Sequence, residues 1–302
     1  VVLGGGDGGV HYVASDGKLR LRYDTGDEVR KVLAGDPSSI DARRLLARVL
    51  LNQPPEKEGR EERLQESEKI YRDLLSEGEV DPASVLALAG LQMDRGDTDA
   101  ARATLEGYRS SHPGSSSVEL HLARIYQESG RGEDAIALLR GVVAREKDNR
   151  EALGALATAL EEAGRPEEAA GIYQQMVDLA PNHPYGHYRL AGALLALKRY
   201  REAQAHLFEA LRGDPRNVRV LLALGQAYEG TRETGLAEKS YRQALERDPA
   251  SLEARFFLAR IHQARGEDDE ALRLYREVLS ADGARDSPAA RALFVHTRTQ
   301  VG

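Results

Sequence analysis

Cysteine and tryptophan are both absent from the 302 residues. Without a thiol there is no disulfide, no thiolate nucleophile and no cysteine-ligated metal, while the redox compartment stays open. No apolar run approaches the roughly 20 residues that a membrane-crossing helix needs. Positive charge is also short, since 42 Lys and Arg against 49 Asp and Glu leave a net charge of −7. No field gathers phosphate backbones, and nucleic acid is not an expected partner. The sequence opens at Val1, without methionine and without the charged and then apolar start of a secretory leader. A fragment or a processed product is expected, soluble in either cytoplasm or periplasm. With 5% aromatic, 41% hydrophobic and 30% charged residues, the composition suits a thin continuous helical core better than a globular one.

What is present is a repeat. In the stretch 218–249, Leu221, Leu224, Gly225 and Tyr228 fall at i, i+3, i+4 and i+7, and Ala237, Tyr241, Ala244 and Leu245 at i, i+4, i+7 and i+8. Each set stacks on one face of an α-helix, so the unit is two amphipathic helices joined by a turn. Asp248-Pro249 stops the second helix, because proline lacks the amide proton and clashes with the preceding turn. The unit recurs every 34 residues: Glu79, Pro113, Lys147, Pro181, Pro215 and Pro249 form one column, and Leu88, Leu122, Leu156, Leu190, Leu224 and Leu258 another. Small residues fill two further columns, Ala89, Ala123, Ala157, Ala191, Gly225 and Ala259 in the first helix and Ala101, Ala135, Ala169, Ala203, Ala237 and Ala271 in the second. Only a hydrogen or a methyl lets two helix backbones approach closely, and Leu105, Leu139, Tyr173, Leu207, Tyr241 and Tyr275 fill the space beside them. Glu119, His187 and Arg255 interrupt a column that is otherwise apolar.

This pattern resembles the tetratricopeptide repeat, and the resemblance runs from about residue 40 to 283. It implies an all-α, right-handed superhelical solenoid of seven helix-turn-helix repeats, at 40–79, 82–113, 116–147, 150–181, 184–215, 218–249 and 252–283. The array is taken to span 34–302. A capping helix is expected at 288–298, with Ser287 as cap and Pro288 in its first turn. The first repeat carries eight extra residues around Gln53 to Arg63, read as a solvated loop or a short helix extension. Gly96, Gly130, Gly164 and Gly266 share the column just after the first helix, where a left-handed residue ends it.

Residues 1–33 differ, alternating β-formers with Gly and Asp-Gly turn signals, and a short β segment is expected there. Gly4 to Gly9, Asp16-Gly17-Lys18 and Thr25-Gly26 resemble one blade of a quinoprotein-type β-propeller, without its usual tryptophan. Gly4, Gly6 and Gly9 also spell a dinucleotide-binding fingerprint, but a strand-like stretch follows where that motif needs a helix, so flexible turns are the reading and no cofactor is expected.

Nothing along the chain assembles into an active site or a metal site. His183 and His187 are four apart, but His183 precedes its helix and no third ligand stands near in sequence, so His187 is read as core. Glu161-Glu162, Glu167-Glu168 and Asp268-Asp269-Glu270 sit at helix ends as solvated charges, and Ser115 to Ser117 read as a cap. The chain is expected not to be an enzyme.

The constellation that remains is the first-helix face that the core leaves free. By the resemblance it lines the concave surface, with Leu86, Leu120, Arg124, Thr158, Tyr185, Tyr188, Arg189, Leu222, Gln226, Phe256 and Arg260 as partner-binding residues. Gly154 and Gly192 open space among them. Aromatic and aliphatic groups interleaved with arginine suit a protein or peptide with apolar anchors and some carboxylates. The family's carboxylate clamp and asparagine ladder are not expected, since Asn52, Asn149, Asn182 and Asn217 form neither. The function implied is a non-catalytic interaction scaffold. The alternatives are a docking module of an enzyme with an upstream propeller, or a structural part of an envelope or secretion assembly.

Overall fold

The computed structural model describes residues 25–52, 59–78 and 81–280. Those residues form helices only: α1 (Thr25–Gly35), α2 (Ile40–Leu51), α3 (Arg60–Ser76), α4 (Pro82–Asp94), α5 (Thr98–Ser111), α6 (Ser116–Glu128), α7 (Gly132–Arg145), α8 (Arg150–Glu162), α9 (Pro166–Leu179), α10 (Pro184–Ala196), α11 (Tyr200–Gly213), α12 (Val218–Gly230), α13 (Thr234–Arg247), α14 (Leu252–Ala264) and α15 (Asp268–Ser280). From α2 onward first and second helices of the repeat alternate, with first helices starting 34 residues apart from α4 on and 42 apart across the enlarged first repeat. The chain divides into two compact units, Val1–Leu138 and Leu139–Gly302.

Helix starts are fixed locally. Asp81, Asp97, Asn149 and Asn217 each accept a backbone N–H three residues on, at 2.7, 3.0, 3.0 and 3.3 Å, satisfying a donor that a helix N-terminus leaves orphaned. Two of the asparagines that form no ladder are therefore caps. Ser115 occupies a cap position but makes no side-chain cap bond. The turns inside the repeats close through left-handed residues: Gly96, Gly130, Gly164 and Gly266 have φ between 70° and 77°. In the same column Lys198 (59°) and Arg232 (65°) adopt this conformation despite their Cβ atoms.

The core follows the columns. Ala101, Ala135, Ala169, Ala203 and Ala237 are fully buried, as are Leu105, Leu139, Tyr173, Leu207 and Tyr241 beside them. In the second unit Gly225 shows why the first-helix column is small, since a Cβ there would come within 2.2 Å of the Tyr241 ring. The three polar interruptions each meet a polar partner. Glu119 is buried with the Arg109 guanidinium 3.6 Å away, His187 bonds His206, and Arg255 pairs with Glu277 at 3.2 Å.

The β expectation fails where it can be seen. Residues 25–33 lie in α1, a helix rather than strands. Val29 and Leu33, four apart, pack one face onto Ala42, Leu46 and Leu50, and Asp27 and Glu28 favour the positive end of the helix dipole. Val29 precedes Tyr71 by the 42 residues of the enlarged first repeat, and Asp36-Pro37 closes α1 as Asp248-Pro249 closes α13. The second-helix pattern thus begins before residue 34, and the Thr25-Gly26 pair is the start of a helix and not a turn between strands. The glycine-rich start (1–24), the 53–58 part of the insert and the 288–298 capping helix lie outside the described residues.

Candidate functional site

In the first unit, α4 lies beside α6, with Leu86 and Leu120 half-buried on them. Arg124 is exposed, its guanidinium 3.9 Å from Glu128 one turn on.

The second unit carries the larger part of the face. On α10, Tyr185 is exposed while Tyr188 and Arg189 are half-buried. Arg189 reaches back to α8, where Nη2 donates to Glu161 Oε2 at 2.5 Å and to Thr158 Oγ1 at 3.3 Å. Its Nε donates to the Tyr173 hydroxyl at 3.0 Å, and the guanidinium lies 5.1 Å from that ring and 6.0 Å from the Tyr185 ring. The Tyr173 hydroxyl donates in turn to Glu161 Oε2 at 2.9 Å. Burial pushes the Tyr173 phenol up to about 12, so it remains a donor at any physiological pH.

The arrangement recurs further along. Tyr241 donates to Glu229 Oε1 at 2.5 Å, and Arg260 Nη2 donates to Glu229 Oε2 at 3.2 Å from α14. Burial and the neighbouring Glu229 carboxylate raise the Tyr241 phenol. Tyr275 makes the matching bond to Gln263 at 3.0 Å. In all three cases the acceptor precedes the tyrosine by 12 residues, which places it on the last turn of the first helix facing the tyrosine of the second. α10 and α12 lie side by side, with Leu222 half-buried, and Gly192 and Gln226 exposed.

Two readings change. Phe256 is only 5% exposed and packs on Tyr275, with ring centroids 6.0 Å apart, so it belongs to the core. Its neighbour Phe257 is the half-buried ring, stacked on Tyr241 at 5.0 Å and 5.7 Å from the Arg260 guanidinium. Glu161 is not a solvated turn carboxylate but the hub of the Arg189 set. Glu161, Glu229 and Phe257 were missed, although a carboxylate 12 residues before a buried tyrosine, in register, was available as a signal. All three arginines expected to meet partner carboxylates, Arg124, Arg189 and Arg260, thus already stand beside glutamates, and the face offers paired charge instead of bare positive charge.

The histidines arrange differently from the His183/His187 spacing. His183 is the exposed residue before α10, while buried His187 meets His206 of α11, Nδ1 to Nδ1 at 3.0 Å. His187 Nε2 lies 2.8 Å from the Pro181 carbonyl and must donate to it, so in the neutral pair His206 donates to His187. Among the described residues no three His, Cys, Asp or Glu side chains group as a metal site, and no helix is long and apolar enough to cross a membrane.

Family models described as tetratricopeptide repeat match residues 82–106, 120–184, 160–220 and 232–293. A curated relative, cellulose synthase operon protein C of Xanthomonas axonopodis pv. citri (strain 306), is 38% identical over 61 residues, which are 20% of this chain and 4% of that protein. This chain therefore spans a small part of that relative's length. Among solved structures, the C-terminal part of a TPR repeat-containing protein from Cytophaga hutchinsonii aligns over 84% of this chain and 99% of its own, at a TM-score of 0.62 and 16% identity. YrrB, described as a TPR protein with an unusual peptide-binding site, aligns over 61% of this chain and 95% of its own, at 0.53 and 16%. These likenesses carry the fold.

Proposed function

The chain belongs to the tetratricopeptide repeat family, and from that premise we propose that it is a non-catalytic protein-binding scaffold whose first-helix face takes a partner peptide or helix. The observation that carries this is the surface shared by α8, α10, α12 and α14. It presents the exposed Tyr185 ring and half-buried Tyr188 and Leu222. Beside them stand two Tyr–Glu–Arg sets whose arginines are held in place before any partner arrives. Rigid aromatic anchors that lose little entropy, flanked by oriented charges, are the groups that dominate binding energy at interfaces. Because each arginine is paired, a partner carboxylate shares the guanidinium with the resident glutamate, and apolar anchors supply most of the affinity. The peptide-binding site of YrrB, a protein of the same fold, supports the same class of ligand.

The test selects peptides from a displayed library against the whole chain and measures the winners on variants. Tyr188→Ala and Tyr185→Ala are expected to weaken binding by about 1–3 kcal/mol. Selected peptides that bind every first-helix variant as tightly as the parent would remove this face as the site.

A further inference from the structure

The opposite side of α8 carries a second feature that the first-helix face does not explain. Leu156 and Leu160 lie two residues either side of Thr158, roughly 160° around the helix from it. They floor a trench of about 350 Å³ walled by Val143 of α7 and by Gly171 and Ile172 of α9, with Arg140 and Glu168 at its rim. A Cβ added at Gly171 meets nothing within 4 Å, so this wall is open.

The repeat register says what the trench is missing. One period before Leu160 stands Tyr126, and one period before Arg140 stands Glu106. Tyr126 is 7% exposed, and its hydroxyl donates to Glu106 at 2.9 Å. Arg131, one period before Arg165, lies 4.4 Å over the ring. There a phenol from the chain itself fills the corresponding place. In the α7–α9 trench leucine replaces the tyrosine, and its shorter side chain stops short of the rim. The acceptor Glu106 is replaced by the donor Arg140, whose Nη2 is 2.5 Å from Glu168, a carboxylate that Arg165 also engages at 2.5 Å.

We propose that this trench is a second docking site, taking one aromatic side chain of a partner polypeptide that carries a carboxylate beside it. The ring lies between Val143 and Ile172, above the buried Leu156 and Leu160, at the place the chain's own Tyr126 takes one repeat earlier. The carboxylate meets the Arg140 guanidinium, which is half exposed and fixed in direction by Glu168. The volume sits at the small end of the roughly 300–1,000 Å³ range of ligand pockets, room for one side chain and not for a helix.

The probe is the blocked dipeptide acetyl-Tyr-Asp-amide, with acetyl-Ala-Asp-amide as control, titrated on the full chain and followed by methyl NMR. Leu156, Leu160 and Ile172 methyls are expected to shift with the tyrosyl peptide alone, with Kd of order 1 mM, about −4 kcal/mol, for a single anchor. Leu160→Tyr, which restores the ring of the previous repeat, and Gly171→Leu, at an exposed helical position, are each expected to weaken binding at least tenfold. Arg140→Glu is expected to weaken the tyrosyl-aspartyl peptide more than a tyrosyl-alanyl one. Tyr188→Ala leaves the shifts unchanged, which separates this site from the first-helix face. No methyl shift, equal shifts with the alanyl control, or parental binding by both Leu160→Tyr and Gly171→Leu would overturn the assignment.

Discussion

Gly225 and Gly192 sit at interior positions of neighbouring helices, α12 and α10, and the same substitution at each should act with opposite sign. A Cβ at Gly225 would lie 2.2, 2.6 and 2.7 Å from Cε1, Cζ and Cδ1 of Tyr241. That ring cannot easily retreat: it is fully buried, stacked on Phe257 at 5.0 Å, and tied through its hydroxyl to Glu229 at 2.5 Å. Overpacking of this kind costs about 1–3 kcal/mol, against which Gly225→Ala recovers up to about 1 kcal/mol of helix propensity. At Gly192 the new methyl meets nothing within 4 Å, so only the propensity gain of about 0.5–1 kcal/mol remains. Urea unfolding followed by circular dichroism reads both, provided the slope with denaturant stays constant. The midpoint should fall for Gly225→Ala and rise for Gly192→Ala. A Gly225→Ala protein as stable as its parent would show that α12 and Tyr241 do not pack at this distance.

Lys198→Gly and Arg232→Gly should each stabilise the chain by roughly 1 kcal/mol and so raise the urea midpoint, because both residues hold a left-handed conformation that costs L-residues about 1–2 kcal/mol. Glu161→Ala should cost about 1–3 kcal/mol by leaving the buried Tyr173 hydroxyl and Arg189 without their acceptor; a change under about 0.5 kcal/mol would return Glu161 to the solvated charges. Stability should also fall as the solution is acidified below the ordinary histidine range. Burial first, then His187, hold His206 below its usual value, while Glu202 and Glu209 oppose them. The unfolded chain therefore binds the proton at His206 more readily, and the stability tied to neutral His206 is complete above about pH 6.5 and lost as pH falls through the folded value. His206→Gln should flatten the dependence of the urea midpoint between pH 7 and 5, and an unchanged slope would dismiss His206 as its source.

The helix-pair repeat could be read before any coordinates, because each column has one physical job that only a few residue types can do. Ala203 must be small to admit a neighbouring backbone, and Leu207 must be large to fill the space beside it; both are fully buried. What could not be read is the direction taken by side chains on a crowded face. Phe256 and Phe257 are adjacent and chemically identical, and only the packing of Tyr275 decides which is core. The bonds from Tyr173 and Arg189 to Glu161 likewise join residues from three helices, and local composition described Glu161 only as one acid of a charged pair. The helix at Thr25–Gly35 was obscured by a different cause, since turn signals in the preceding glycine-rich stretch outweighed the helical spacing of Val29 and Leu33.

Hydrogen exchange on the chain with and without a library-selected peptide reads out whether partners bind the first-helix face of α8 to α14. Protection is expected on α10 and α12, centred on Tyr185 to Gly192 and Leu222 to Gln226, and at a fixed peptide concentration should fall with Tyr188→Ala. Protection confined to the second helices α9, α11 and α13, and kept by Tyr188→Ala, would contradict it.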